Sequence, residues 1–431
     1  MWSLLTVIFL ALLTGFINTT HASELKSIEK INNDVITWRR HLHQYPELSN
    51  REYKTAKYIE DHLRNLGLEV KTNIAHTGVT AILHGKNKGP LIALRADMDA
   101  LPITELVMLP FASKQTTQYR GQTVGVMHAC GHDAHVAILM GVASRLAAQK
   151  DHLSGSVMFI FQPAEEGAPG DEEGGAELML KEGIFAENKP DAIFGLHVTN
   201  RLNTGTIGYR SGPLMASEDS FTIKVQGIQT HGSRPWNGVD PIVTSAQIIM
   251  ATQTIASRQI NVTKAPSVIS FGAINGGIRS NIIPDHVELV GTIRSFDQGM
   301  RKDIKKRLTN TARLVAESAG AVAHTHIDHG YPVTINDPKL TAQMLPTLQK
   351  AVGDKNVIEM DLITGAEDFS YYALETAGLF FFLGITPKEQ DPTLSASNHS
   401  PHFYIDEKAL SIGVESLTNL ATDYLKNNSR Y

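Results

Sequence analysis

The stretch Pro90–Ile103, PLIALRADMDALPI, decides the fold. Up to Asp97 it is almost wholly apolar, with only Arg95 interrupting. Such a run lacks the alternation of a half-solvated strand, so it reads as a central strand of a sheet covered on both faces. It then breaks at two acids, Asp97 and Asp99, where ligand sites gather in α/β sheets.

The flanking sequence repeats the same style. Helical spacing runs from Ile28 to Tyr45 and from Tyr53 to Leu66, then LEVKT and VTAILHG read as strands. Downstream come a helix over Ala134–Ala148, the strand GSVMFIFQP, a short helix over Ala176–Lys181 and the strand DAIFGLHV. Strands alternating with helices predict an α/β layer.

The middle of the chain changes rhythm. DSFTIKVQG, a helix over Pro241–Ser257, SVISFGAING, HVELVGTIRSF, a helix over Met300–Ala319 and AVAHTHID give the order βαββαβ, a ferredoxin-like unit. The α/β style then returns with a helix over Pro338–Val352, GLFFFLG and a helix over Glu407–Lys426. The expected fold is therefore a sheet-and-helix α/β domain, residues 23–212 and 329–431, with a ferredoxin-like domain inserted at 213–328.

Composition fits this picture. The 431 residues are 42% hydrophobic and 19% charged, as in a globular protein of two domains. A net charge of −5 gives no footprint for nucleic acid. One cysteine allows no internal disulfide, so the fold is not stapled. The N-terminus has a short apolar run over Leu4–Leu13 followed by Thr20-His21-Ala22, which predicts a signal peptide, 1–22, cleaved before Ser23. That places the mature protein in the periplasm or outside the cell, with no lasting membrane insertion.

The chemistry gathers at expected strand ends. MHACGHDAHVA, Met127–Ala137, sets Cys130 and His132 before a helix; thiolate and imidazole are both good ligands for zinc-like ions. Alone the pair is weak, because a lone cysteine is commonly a small buried hydrophobe. Glu165 and Glu166 follow an apolar strand, His197 ends another, and His399 sits in NHSPHF. An acid such as Asp99 can orient a ligand histidine. No H-E-x-x-H helix is present.

In RADMDALPI, HACGHDAH, QPAEEG, GLHV, THGSRPWNGVDPI, SNIIPD, GTIRSF, GAEDFS and NHSPHF the sequence resembles the M20 metallopeptidase family. It resembles in particular the amidohydrolase branch of hippurate hydrolase-like and auxin-conjugate hydrolase-like enzymes. These motifs span nearly the whole chain after the leader. The resemblance implies hydrolysis of N-acyl-L-amino acids to a carboxylic acid and a free amino acid. It also implies two divalent ions per subunit, zinc or manganese first and nickel or cobalt behind them. By position, Cys130, His132, Glu166, His197 and His399 match the ligands, Glu165 the general base, and Asp99 the acid that orients a ligand. His231 matches the residue that stabilises the oxyanion, reaching a neighbouring subunit in relatives, which implies a homodimer. Asn281 and Arg294 match binders of polar substrate groups. The inserted domain becomes a lid and dimerisation domain.

Many relatives carry a His-x-Asp ligand motif where this chain has Asp97-Met98-Asp99. The cysteine is read as making up for the missing histidine, and its thiolate favours softer ions than a carboxylate does. Two other readings stay open: an exopeptidase acting on dipeptides or as a carboxypeptidase, and a non-catalytic metal- or ligand-binding protein.

Overall fold

The structure is a computed structural model and describes residues 26–429. The expected leader, 1–22, lies outside them. The chain divides into two compact units. The first takes the described residues up to Tyr209, Lys339–Glu359 and those from Thr376; the second takes Arg210–Pro338 and Met360–Glu375.

The first unit opens with helix α1 (26–44) and α2 (Tyr53–Asn65). Then come strands β1 (Glu69–Ile74), β2 (Gly78–His84) and β3 (Asn87–Asp97), and a hairpin of β4 (Thr116–Tyr119) and β5 (Gln122–Gly125). Helix α3 (His132–Ala148), β6 (Ser154–Gln162), α4 (Gly175–Lys181), β7 (Ala192–Asn203) and β8 (Ile207–Tyr209) follow.

The second unit contains β9 (Gly212–Met215), β10 (Ser217–Gln226), β11 (Thr230–His231), α5 (Pro241–Thr254), β12 (Ser267–Asn275) and β13 (Ile282–Ile283). It continues with β14 (His286–Ser295), α6 (Gln298–Ser318), β15 (Val322–His329) and β16 (Thr334–Asn336). Helix α7 (Pro338–Val352) and β17 (Val357–Glu359) return to the first unit. Helix α8 (Phe369–Glu375) belongs to the second unit, and β18 (Ala377–Thr386) and α9 (Lys408–Asn428) finish the first.

The first unit is built on an eight-stranded sheet in the order β1-β2-β6-β3-β7-β18-β8-β17. Its centre, β6-β3-β7-β18, is parallel. These are the near-continuous apolar runs, and Ile92, Leu94, Phe159, Phe161, Phe194, Phe381 and Leu383 join one core. Helix α3 is buried nearly all round. Its contact with α9 is close: a Cβ on Gly413 would lie 2.6 Å from Ile138 Cδ1, so only glycine fits without repacking.

In the second unit β10, α5, β12, β14, α6 and β15 build an antiparallel sheet ordered β12-β14-β10-β15. Phe221, Ile223, Val225, Leu289 and Ile293 face its helices and form a separate core. Asp240 caps α5 by accepting from Ile242 and Val243 N–H, and Asp297 caps α6 by accepting from Met300 N–H. Regular α-helix ends at Thr254 and a π-helical turn, Ile255–Gln259, carries the chain on. Met360–Glu375 joins this unit, whereas the division read from sequence put it with 329–431. Backbone pairing explains the difference: Ile363 N–H donates to Leu214 O and Ala216 N–H donates to Ile363 O. Among the described residues no helix is long and apolar enough to cross a membrane.

Candidate metal centre

The carboxyl ends of the parallel strands and the start of α3 build one cluster. Strand β3 delivers Asp97 and Asp99, β6 runs into Glu165 and Glu166, and β7 carries His197. Cys130 precedes α3 and His132 begins it. Between them Gly131 has φ +93°, and a Cβ there would lie 2.3 Å from Val198 Cγ2. Glycine is therefore required at this start. His399 comes from the loop before α9, in the left-handed region at φ +68°, and donates its backbone N–H to Ala129 O.

The five side chains read as ligands converge. Cys130 Sγ lies 3.4 Å from His197 Nε2 and 3.3 Å from His399 Nε2. Glu166 Oε1 is 3.0 Å from His399 Nε2 and 3.9 Å from His132 Nε2. Cys130, His132 and His197 form one ligand-type group, Cys130, Glu166 and His399 a second, and His132, Glu165 and Glu166 a third.

Two of the three imidazoles, those of His197 and His132, are braced through the other nitrogen. His197 Nδ1 lies 2.7 Å from Val198 O, which can only accept, so Nε2 is left with its lone pair toward Cys130. His132 Nδ1 is 3.2 Å from Asp99 Oδ1, and its Nε2 is buried with no hydrogen-bond partner. Asp99 also accepts from Ser49 Oγ, Glu165 N–H and Glu166 N–H at 2.8, 3.1 and 3.0 Å. One carboxylate thus orients a ligand ring and the loop bearing both glutamates.

Asp97 also borders the cluster, with Oδ1 3.8 Å from His132 Nε2 and in a ligand-type group with His132 and His135. It accepts from Arg95 Nη1 and from His135 Nδ1. His135 Nε2 in turn accepts Val198 N–H at 2.9 Å, so one nitrogen of this ring bonds β3 and the other β7. Asp97, His135 and their partners did not stand out as a brace in the sequence; the third histidine of MHACGHDAH, one helical turn after His132, was the available signal.

The electrostatics favour a cation. Burial raises the Cys130 thiol well above its ordinary range, and the Glu166 and Glu165 charges push the same way. Burial lowers His132, but Asp97, Asp99 and Glu166 outweigh it and raise the ring to about 10. Burial keeps His197 neutral. An orphaned Nε2 among carboxylates, a thiol and two further imidazoles is a donor set that fits divalent ions. His132 Nε2 stands 3.9 Å from Glu166 Oε1, too long for a hydrogen bond. That spacing matches two donors sharing an ion with arms of about 2.0–2.3 Å.

A cleft of about 810 Å³ opens beside Glu166, walled by Tyr45, Leu48, Leu101, Pro102, Tyr119 and Val126.

The remaining sequence-derived residues lie in the second unit. His231 in β11 pairs with Ile282, and Gly232 N–H donates to Asn281 O, so His231 and Asn281 are neighbours. Arg294 stands near the other end of β14 and donates from Nη1 to Glu218 Oε1 at 3.2 Å.

The chain is similar to known proteins over nearly its whole length. The sequence profile of Peptidase family M20/M25/M40 matches residues 93–423. Thermostable carboxypeptidase 1 of Saccharolobus solfataricus is 39% identical over 406 residues, 92% of this chain and 98% of that relative. N-acetyl-L-cysteine deacetylase of Bacillus subtilis is 38% identical over 384 residues, 89% of this chain and 86% of that relative. Among solved structures, the Bacillus subtilis YXEP protein, a dinuclear metal binding peptidase from the M20 family, superposes with a TM-score of 0.76. It is 34% identical and covers 92% of this chain and 99% of its own.

Proposed function

The chain belongs to peptidase family M20/M25/M40, and from that premise we propose that it hydrolyses the amide bond of N-acyl-L-amino acids to a carboxylic acid and a free amino acid. The observation that carries this reading is the convergence of Cys130, His132, Glu166, His197 and His399 beside Glu165. The deacetylase relative supports the substrate class.

In this reading those five residues hold two divalent ions, zinc or manganese before nickel or cobalt. The thiolate and three imidazoles suit zinc and its first-row neighbours. Such ions supply Lewis acidity toward a water molecule and an amide carbonyl. Glu165 is the general base: it takes the proton of the attacking water and hands it to the departing amine nitrogen. Its backbone N–H is fixed by Asp99 at 3.1 Å, which holds the side chain over the cluster. Asp99 keeps His132 Nδ1 protonated so that Nε2 faces the ion. His231 stabilises the developing oxyanion, Asn281 binds a polar substrate group, and Arg294 pairs with the free carboxylate.

The protein works as a homodimer in this reading, with His231 completing the neighbouring subunit's site. Strand β12 is an edge of its sheet and exposes Val268 and Ile274, while α5 exposes Val243 and Met250. An unpaired edge next to exposed apolar side chains suits a second copy. Sedimentation at micromolar concentration should give twice the monomer mass. The leader places the mature protein in the periplasm or outside the cell, and N-terminal sequencing of the exported form should begin at Ser23.

The deciding experiment is turnover of N-acetyl and N-benzoyl amino acids by metal-loaded protein, with Glu165→Gln alongside. The variant should keep its metal and lose activity; an active Glu165→Gln would remove the role given to this base. The 39% identity to a carboxypeptidase favours a second reading, an exopeptidase on the same scaffold. Dipeptides and blocked dipeptides in the same panel separate the two by their kcat/KM ratio.

A further inference from the structure

The turn that carries Glu165 and Glu166 is strained at its first residue. Ala164 has φ +51°, the left-handed region, which is strained for a residue other than glycine. Something outside the turn must hold it there. Its N–H donates to Glu52 Oε1 at 3.0 Å, from a residue 112 positions away.

Glu52 is unusual for its place in the chain. It stands at the N-cap of α2, yet its side chain makes no capping bond. Glu47 does that work instead, accepting from Lys54 and Thr55 N–H. The Glu52 side chain turns inward, is fully buried, and sets Oε2 2.6 Å from Thr77 Oγ1. A buried carboxyl in a short loop is costly unless its hydrogen bonds are needed.

Its three predecessors act on the same apparatus. Ser49 Oγ donates to Asp99, the acid that accepts from Glu165 and Glu166. Asn50 Nδ2 donates to Glu173 O and Glu172 Oε2, and Arg51 donates to Glu172 from both terminal nitrogens. Residues 49–52 therefore grip the 164–173 loop at both ends.

We propose that Glu52 is a positioning residue, which, with Ser49, Asn50 and Arg51, clamps the Ala164 turn so that Glu165 and Glu166 present their carboxylates to the metal cluster. The consequence for catalysis rests on the amidohydrolase reading; the consequence for metal binding does not.

The test uses the full chain with Zn²⁺ as probe, measured by chelator competition, and kcat and KM on an N-acetyl amino acid. Glu52→Ala and Glu52→Asp, the latter one methylene too short, should each weaken Zn²⁺ binding about tenfold or more, the range for residues that orient ligands. Both should lower kcat at least about tenfold while KM stays within about threefold. Glu52→Gln keeps an acceptor for Ala164 and should stay within about threefold of wild type on every measure. Ile59→Ala, in the core under the same helix, controls for lost stability: it should lower the melting temperature and leave Zn²⁺ affinity alone. The proposal is overturned by wild-type Zn²⁺ affinity in Glu52→Asp, by Glu52→Gln falling as far as Glu52→Ala, or by Ile59→Ala weakening Zn²⁺ equally. If wild type turns over no N-acyl amino acid the amidohydrolase reading falls, and the Zn²⁺ measurements still decide Glu52.

Discussion

Cys130 Sγ and His399 Nε2 stand 3.3 Å apart although 269 positions separate them in the chain. The thiol sits in two of the ligand-type groups at once, with His132 and His197 on one side and Glu166 and His399 on the other. Removing it should therefore weaken the whole cluster rather than one ligand position. Cys130→Ala is expected to lower Zn²⁺ affinity by more than the roughly 10–100-fold typical of a residue that only orients a ligand. Chelator competition measures this, and an affinity unchanged by the substitution would show that the sulfur is a bystander.

Beneath the cluster the first turn of α3 is pinned by charge. Asp133 accepts from Arg39 Nε at 2.8 Å and lies 2.8 Å from His43 Nδ1, with all three side chains buried. Burial opposes ionisation of Asp133, but Arg39 and His43 outweigh it and hold the carboxyl well below its usual range. Arg39→Met should cost about 3–5 kcal/mol by leaving this carboxylate without its main partner. Asp133→Asn in the same chain should recover part of that loss. Chemical denaturation of the two variants checks the sign; a double variant weaker than Arg39→Met would argue against the pair as the cause.

Much of the first unit was legible because β3, β6, β7 and β18 are parallel and covered on both faces, which writes them as apolar runs. Part of the cluster is marked in the same way: Asp97 ends β3, and Glu165 and Glu166 come shortly after β6. The hairpin β4–β5 was not, since its strands are polar on both sides and only Arg120-Gly121, with φ +49° and +78°, marks the turn. Glu52 was not legible either. In sequence it is one more acid at a helix start, and only the folded chain brings it to Ala164. The 360–375 segment was misplaced because short strands such as β9 and β16 carry too few residues for a pattern.

Glu52 also predicts how stability depends on pH. Burial, and then the Asp99 charge, raise its pKa to about 8, against an ordinary carboxyl near 4.5. Between these values the folded chain holds a proton that the unfolded chain has released. Stability from this group is complete below the unfolded value and falls as pH rises toward 8, by up to about 1.4 kcal/mol per pH unit. Glu52→Gln has no such proton to lose. Its melting temperature relative to wild type should therefore climb steadily from pH 5 to pH 8; a constant difference would place the Glu52 pKa in the ordinary range.

The cleft beside Glu166 bears on which acyl groups the enzyme accepts. Its walls include Leu48, Leu101, Pro102 and Val126, and its volume of about 810 Å³ far exceeds what an acetyl group fills. Arg51, Lys54 and Arg120 also line the cleft, and its apolar stretch of Leu48, Leu101, Pro102 and Val126 suits the acyl side of the substrate. Leu101 is partly exposed there, with its other side packed against the core. Leu101→Trp should lower kcat/KM for an N-benzoyl amino acid about tenfold relative to the N-acetyl derivative of the same amino acid, a differential of roughly 1.4 kcal/mol. Comparing the two ratios in wild type and variant removes any general effect on the metal cluster. An unchanged ratio would move the acyl group out of this cleft.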